Sequence, residues 1–75
     1  MEKLLNLLNE INPDIDYLSE KHLLDDGLFD SLEILSIITA IDDHYGIEIN
    51  AEDVSAENFN SIDSIMNLIK KYRGE

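Results

Sequence analysis

The sequence has no cysteine, so neither a disulfide nor a thiolate-bound zinc ion can brace the fold. That absence suits a reducing compartment, and the cytoplasm is the expected location. Long apolar runs are missing too. Met1-Glu2-Lys3 leads straight into a short Leu/Asn pattern, so neither a signal peptide nor membrane insertion is expected. Positive charge is scarce: five basic residues stand against seventeen acidic ones, for a net charge of −12. The five are Lys3, Lys21, Lys70, Lys71 and Arg73, so none falls between His22 and Ile69, a stretch with eleven acids. Such a field repels nucleic acid and anionic membrane, and it draws basic protein surfaces.

Seventy-five residues are enough for one domain, 1–75, with one core. A chain this small buries roughly 60% of its unfolded surface, which leaves little room for a deep, dry cleft. Internal repeats, low-complexity segments and domain boundaries are all absent from the pattern.

What is present is helical periodicity. Leu4, Leu5, Leu7, Leu8 and Ile11 share one side of a 3.6-residue wheel, predicting a helix over 2–11 that Asn12-Pro13 ends. Residues 12–30 lack a clean period. Ile15, Leu18, Leu23, Leu24, Leu28 and Phe29 nevertheless predict a loop pinned to the core, with one turn around Ser19–Leu23. The next helix is expected from Ser31 to about Tyr45, with Asp30 as N-cap and Gly46 at the left-handed C′ position. Its apolar stripe reads Ile34, Leu35, Ile37, Ile38, Ile41 and Tyr45. Leu32, Ser36, Thr39 and Asp43 fall opposite, flanked by Glu33, Ala40 and His44.

Ile47-Glu48-Ile49 reads as an extended link that drops two isoleucines into the core. Residues 50–58 read as a short helix or irregular turns, anchored by Val54 and Phe59. Asn60 or Ser61 then caps a last helix to about Tyr72, with the stripe Ile62, Ile65, Met66, Leu68, Ile69 and Tyr72. Amphipathic helices of this kind satisfy their apolar faces only by packing together. The expected fold is therefore all-α, a small four-helix bundle of three main helices and a short one, with a long first loop.

Catalytic and metal-binding constellations do not assemble. A serine nucleophile needs a base within hydrogen-bond reach, but His44 lies roughly 20 Å along the helix from Ser31, and His22 comes with no Gly-x-Ser-x-Gly elbow. Calcium loops counted from Asp14 or Asp25 lack the glycine at the sixth position and the glutamate at the twelfth. Asp25-Asp26 and Asp42-Asp43 are adjacent pairs in open settings. No catalytic residue and no metal ligand is assigned, and the chain reads as a non-enzyme.

The stretch Gly27-Leu28-Phe29-Asp30-Ser31-Leu32 remains. Either Asp30 and Ser31 simply cap the helix, in an acidic interaction or regulatory module that is never modified, or Ser31 is presented for attachment. Capping alone leaves unexplained the apolar Leu32 on the polar face.

These residues resemble the acyl and peptidyl carrier proteins, which carry 4′-phosphopantetheine. Asp30-Ser31-Leu32 matches the family's attachment motif, and Leu24-Asp-Asp-Gly-Leu-Phe-Asp-Ser-Leu is similar to the loop entering its second helix. Asp42-Asp43-His44-Tyr45-Gly46-Ile47-Glu48-Ile49 resembles that helix's exit. Val54-Ser-Ala-Glu-Asn-Phe-Asn-Ser-Ile62 resembles the third helix and the start of the fourth.

The resemblance implies that Ser31, framed by Asp30 and Leu32, carries a covalent phosphopantetheine installed from coenzyme A by a phosphopantetheinyl transferase. It further implies a monomeric carrier of acyl or aminoacyl thioesters, loaded by a ligase and read by downstream transferases with basic docking surfaces. Leu32, Glu33, Ser36, Thr39, Asp42 and Asp43 match the face that meets such partners. Ser36 stands where fatty-acid carriers commonly place a glutamate, and Asn50 where they place a proline. The entry to the second helix is closer to free-standing D-alanyl or peptidyl carriers.

Overall fold

A computed structural model describes residues 2–75. It contains four α-helices: α1 (Glu2–Ile11), α2 (Ser31–Tyr45), α3 (Ala56–Phe59) and α4 (Ile62–Arg73). A 3-10 turn (Ala51–Asp53) precedes α3, and no strand occurs among the described residues. This is the expected bundle of three main helices and one short one.

The core draws on every segment. Leu4 and Leu8 of α1, Ile37 and Ile41 of α2, and Ile62, Ile65, Leu68 and Ile69 of α4 are buried together with Ile49 and Phe59. Each such side chain contributes roughly 1.5–3 kcal/mol by leaving water. Among the described residues, no polar or charged one is buried.

The first connection departs from expectation. Its largest buried side chain is Tyr17, which the apolar pattern does not single out; its ring stacks on Phe29 at 6.1 Å between centroids. The Tyr17 hydroxyl lies 3.0 Å from the Leu8 carbonyl and 2.7 Å from that of Asn12, so burial leaves it satisfied at the end of α1. Leu18, expected to pin the loop, is instead 65% exposed, because Tyr17 takes the inward place beside it. Two turns replace the single one expected at Ser19–Leu23. The Ser19 and Glu20 N–H groups bond back to Asp16, and a second turn closes from His22 to Leu28.

α2 has the expected bounds, and Gly46 ends it at φ 65°, with its N–H bonded to the Asp42 carbonyl at 2.9 Å. Leu35 is a correction: it is 61% exposed and no part of the core stripe. On the wheel it sits about 100° from Ile34, beyond the arc centred on Ile34, Ile41 and Tyr45. Ile49 is buried and Ile47 half-buried, as an extended link would place them. Ser61, not Asn60, caps α4 through a reciprocal pair with Ser64, and the helix runs one residue past Tyr72.

Candidate functional site

Gly27 adopts φ 65°, a left-handed turn that brings its N–H to the Leu24 carbonyl (3.1 Å) and the Leu28 N–H to that of Leu23 (3.2 Å). Leu23 and Phe29, buried on either side, fix the turn to the core. Asn60 holds it from the α3–α4 corner: its Oδ1 accepts from the N–H groups of Leu24 and Asp25, both at 3.0 Å. Its Nδ2 donates to Asp25 Oδ2 at 2.9 Å, and its carbonyl accepts from the Leu23 N–H. Ser31 thus leaves a braced loop rather than a free one.

At the helix start, Asp30 is extended and its Oδ1 accepts from the Glu33 N–H at 2.7 Å. Glu33 Oε1 accepts from the Asp30 N–H at 3.1 Å, completing a capping box. Glu33 Oε2 takes the Asn12 side-chain amide at 3.0 Å and ties the end of α1 to the start of α2. The capping bonds therefore belong to Asp30 and Glu33. Ser31 is the first helical residue, exposed and free of that duty.

Two depressions meet at this end of α2. A groove of about 480 Å³ runs from Ser31 between α2 and the segment 49–54, and its walls are Ile34, Leu35, Ile38, Ile49, Ala51 and Val54. Apart from Ser31 itself, every lining residue is apolar. The other, about 740 Å³ and shallow, covers the outer face of α2 along Leu32, Leu35, Ser36, Thr39, Ala40 and Asp43, with His44 at its far end. Leu35 borders both.

The acyl carrier protein of Buchnera aphidicola subsp. Baizongia pistaciae is 43% identical over 54 residues, covering 72% of this chain and 67% of its own length. The acyl carrier protein of Solidesulfovibrio magneticus is 32% identical over 66 residues, covering 88% of this chain and 74% of that protein. The chain belongs to the acyl carrier protein family. No family model and no solved structure matches it.

Acyl carrier proteins hold a group and present it to partner enzymes; they are carriers, not catalysts. On this carrier, Leu32, Ser36, Thr39 and Asp43, which the wheel put on one face, do line one depression, with Leu32 75% exposed. Glu33 and Asp42 stand differently. Glu33 is half-buried in the capping box, and Asp42 is half-buried with its Oδ1 accepting from the Ile49 N–H at 3.1 Å. Leu35 was missed as a surface residue. Its angle from the stripe centre was the available signal.

Two of the few cations of this carrier gather at the end of α2 away from Ser31. The Lys3 ammonium bonds to the His44 carbonyl at 3.1 Å and lies 4.9 Å from the Tyr45 ring centre, and the Arg73 guanidinium lies 5.8 Å from the same ring. Both occupy the C-terminal end of α2, where a helix favours positive charge. Lys21 is 3.8 Å from Asp63, with both side chains exposed. Beneath the capping box, burial and then the Glu33 carboxylate push the Tyr17 phenol up to about 12. Among the described residues no cluster of three or more His, Asp or Glu side chains is arranged to hold a metal, and no helix is long and apolar enough to cross a membrane.

Proposed function

We propose that residues 1–75 act as a single cytoplasmic carrier domain whose Ser31 bears a covalent 4′-phosphopantetheine. The observation that carries this reading is the division of labour at the start of α2: Asp30 and Glu33 make the capping bonds, and Ser31 stands exposed at the mouth of an apolar groove. The residues fit the group. A free hydroxyl on the first helical turn is reachable by an enzyme, and the N-terminal end of a helix favours a phosphate.

In the loading step the Ser31 oxygen forms a bond to the phosphorus next to pantetheine in coenzyme A. The pyrophosphate bridge breaks, the nucleotide bisphosphate leaves, and the serine proton passes to a base of the transferase. When bound, the arm supplies the thiol on which an acyl or aminoacyl group is held as a thioester. Ile34, Leu35, Ile38 and Ile49 offer an apolar cargo a place out of water beside Ser31. Leu32, Leu35, Thr39 and Asp43 face the transferase, the loading ligase and downstream enzymes, whose basic surfaces the acidic field draws in.

Intact mass tests the reading. Incubation with a promiscuous phosphopantetheinyl transferase and coenzyme A is expected to add one phosphopantetheinyl group to the wild type and none to Ser31→Ala. An unchanged wild-type mass with every transferase tried would leave an acidic interaction module instead.

A further inference from the structure

The groove beside Ser31 has one wall of regular helix and one wall of irregular chain that is rooted in the core at Ile49. Its rigid side is α2, whose backbone is locked by its own ladder and whose Ile37 and Ile41 are buried in the core. Its other side is the segment 49–54, which supplies Ile49, Ala51 and Val54. The backbone hydrogen bonds of that segment are local: Asp53 N–H to the Asn50 carbonyl, Val54 N–H to that of Ala51, and Ser55 N–H to that of Asp53. Among the described residues, no backbone bond joins 49–54 to a helix.

Side chains hold it instead. Asp42 of α2 accepts from the Ile49 N–H, and Asn58 of the neighbouring α3 donates to the Asp53 carbonyl. The third tie comes from α4. The Tyr72 hydroxyl accepts from the Asn50 N–H at 3.0 Å and donates to Asp53 Oδ2, so one phenol oxygen grips both ends of the 3-10 turn. Asp42 anchors the wall to the helix it faces. Beyond the burial of Ile49, the Tyr72 hydroxyl supplies the hydrogen bonds that tie it to the helix behind.

We infer that Tyr72 is a specificity-determining latch: by fastening the 50–53 turn to α4 it sets how far the groove opens, and therefore how long an acyl chain the carrier shelters. This rests on the reading of Ser31 and its groove as the cargo site. Two features make the latch suited to the task. Beyond Ser31 at its mouth the groove is lined by apolar residues, so a longer chain gains burial only where the wall yields. Ile49 roots the wall in the core and Val54 packs against it, but the 50–53 turn between them has no buried residue and is tied to α4 by the two Tyr72 hydrogen bonds, a restraint far weaker than the packed interior on which α2 rests.

The test loads the full chain with straight-chain acyl-phosphopantetheine groups of increasing length, using the matching acyl coenzyme A and a promiscuous transferase. Cleavage of each thioester by hydroxylamine is then timed in wild type and Tyr72→Phe. Protection in the wild type is expected to rise with chain length and level off at a limiting length; in Tyr72→Phe the plateau moves to longer chains. A residue that merely stabilised the fold would lower protection at every length by a common factor and leave the plateau where it was, and that outcome overturns the latch. Coincident profiles overturn it equally. If Tyr72→Phe loses its helical circular dichroism, Asp53→Ala, which removes the acceptor and spares the ring, is held to the same expectation. Intact mass is read on the same samples. No uptake at all would overturn the Ser31 reading and the latch together, whereas full uptake with no length-dependent protection in the wild type would overturn the latch and leave Ser31 modified.

Discussion

Asp30 and Glu33 exchange hydrogen bonds across the first turn of α2, each carboxylate accepting from the other's backbone N–H. Because the pair closes on itself, the serine between them is structurally dispensable. Ser31→Ala is therefore expected to change stability by less than about 0.5 kcal/mol. Asp30→Ala is expected to cost about 1 kcal/mol, the usual loss for an N-cap carboxylate. Urea unfolding of the two variants checks this; a Ser31→Ala loss equal to that of Asp30→Ala would return the serine to a capping role.

The two adjacent acids near the end of α2 are not equivalent. Asp43 is exposed on the outer face, while Asp42 accepts from the Ile49 N–H. Asp43→Lys should leave the melting temperature unchanged and slow phosphopantetheinylation at low salt, with the difference shrinking as salt screens the field. Asp42→Lys should lose about 1–2 kcal/mol, since it strands a partly buried N–H. Melting curves and initial rates across a salt series distinguish them.

Leu32 and Leu35 are apolar and exposed, and nothing in the fold needs them there. Alanine at either position should shift stability by less than about 0.5 kcal/mol and weaken partner binding. Ile41→Ala, at a fully buried site, should cost about 2–5 kcal/mol. If Leu35→Ala unfolds like Ile41→Ala, the exposed reading of Leu35 fails.

Tyr17 carries a pH signature. Burial and then the Glu33 carboxylate raise its phenol from the ordinary value of 10.0, which the unfolded chain keeps, to about 12 in the fold. Below about pH 10 both states hold the proton, and the contribution of this group is fully present. Between about 10 and 12 the unfolded state ionises first, so stability falls as pH rises and the contribution is lost through the folded value. Urea midpoints at stepped alkaline pH should decline less steeply for Tyr17→Phe, which still carries Tyr45 and Tyr72.

The three long helices were legible because their signals are local: 3.6-residue periods, Asp30 and Ser61 before them, Gly46 after α2. The first loop was not, since its order comes from side-chain bonds to backbone groups that no periodic pattern marks. Tyr17 reaches back to Leu8 and Asn12, and Asn60 binds Leu24 and Asp25 across about 35 residues. Ser31 and Leu32 could be picked out by their place at a helix start and on the polar face. The groove could not, because it exists only through the spacing between α2 and the 49–54 segment. Leu35 fell between these cases, at the border of a stripe, where a wheel assigns sides but not exposure.

The stacking of Lys3 and Arg73 on Tyr45 has a geometric consequence. The start of α1 and the end of α4 meet at one pole of the molecule, and α2, about 22 Å long, carries Ser31 to the opposite pole. A carrier immobilised through either of those helix ends, on a bead or a sensor chip, would present its serine outward, away from the tether.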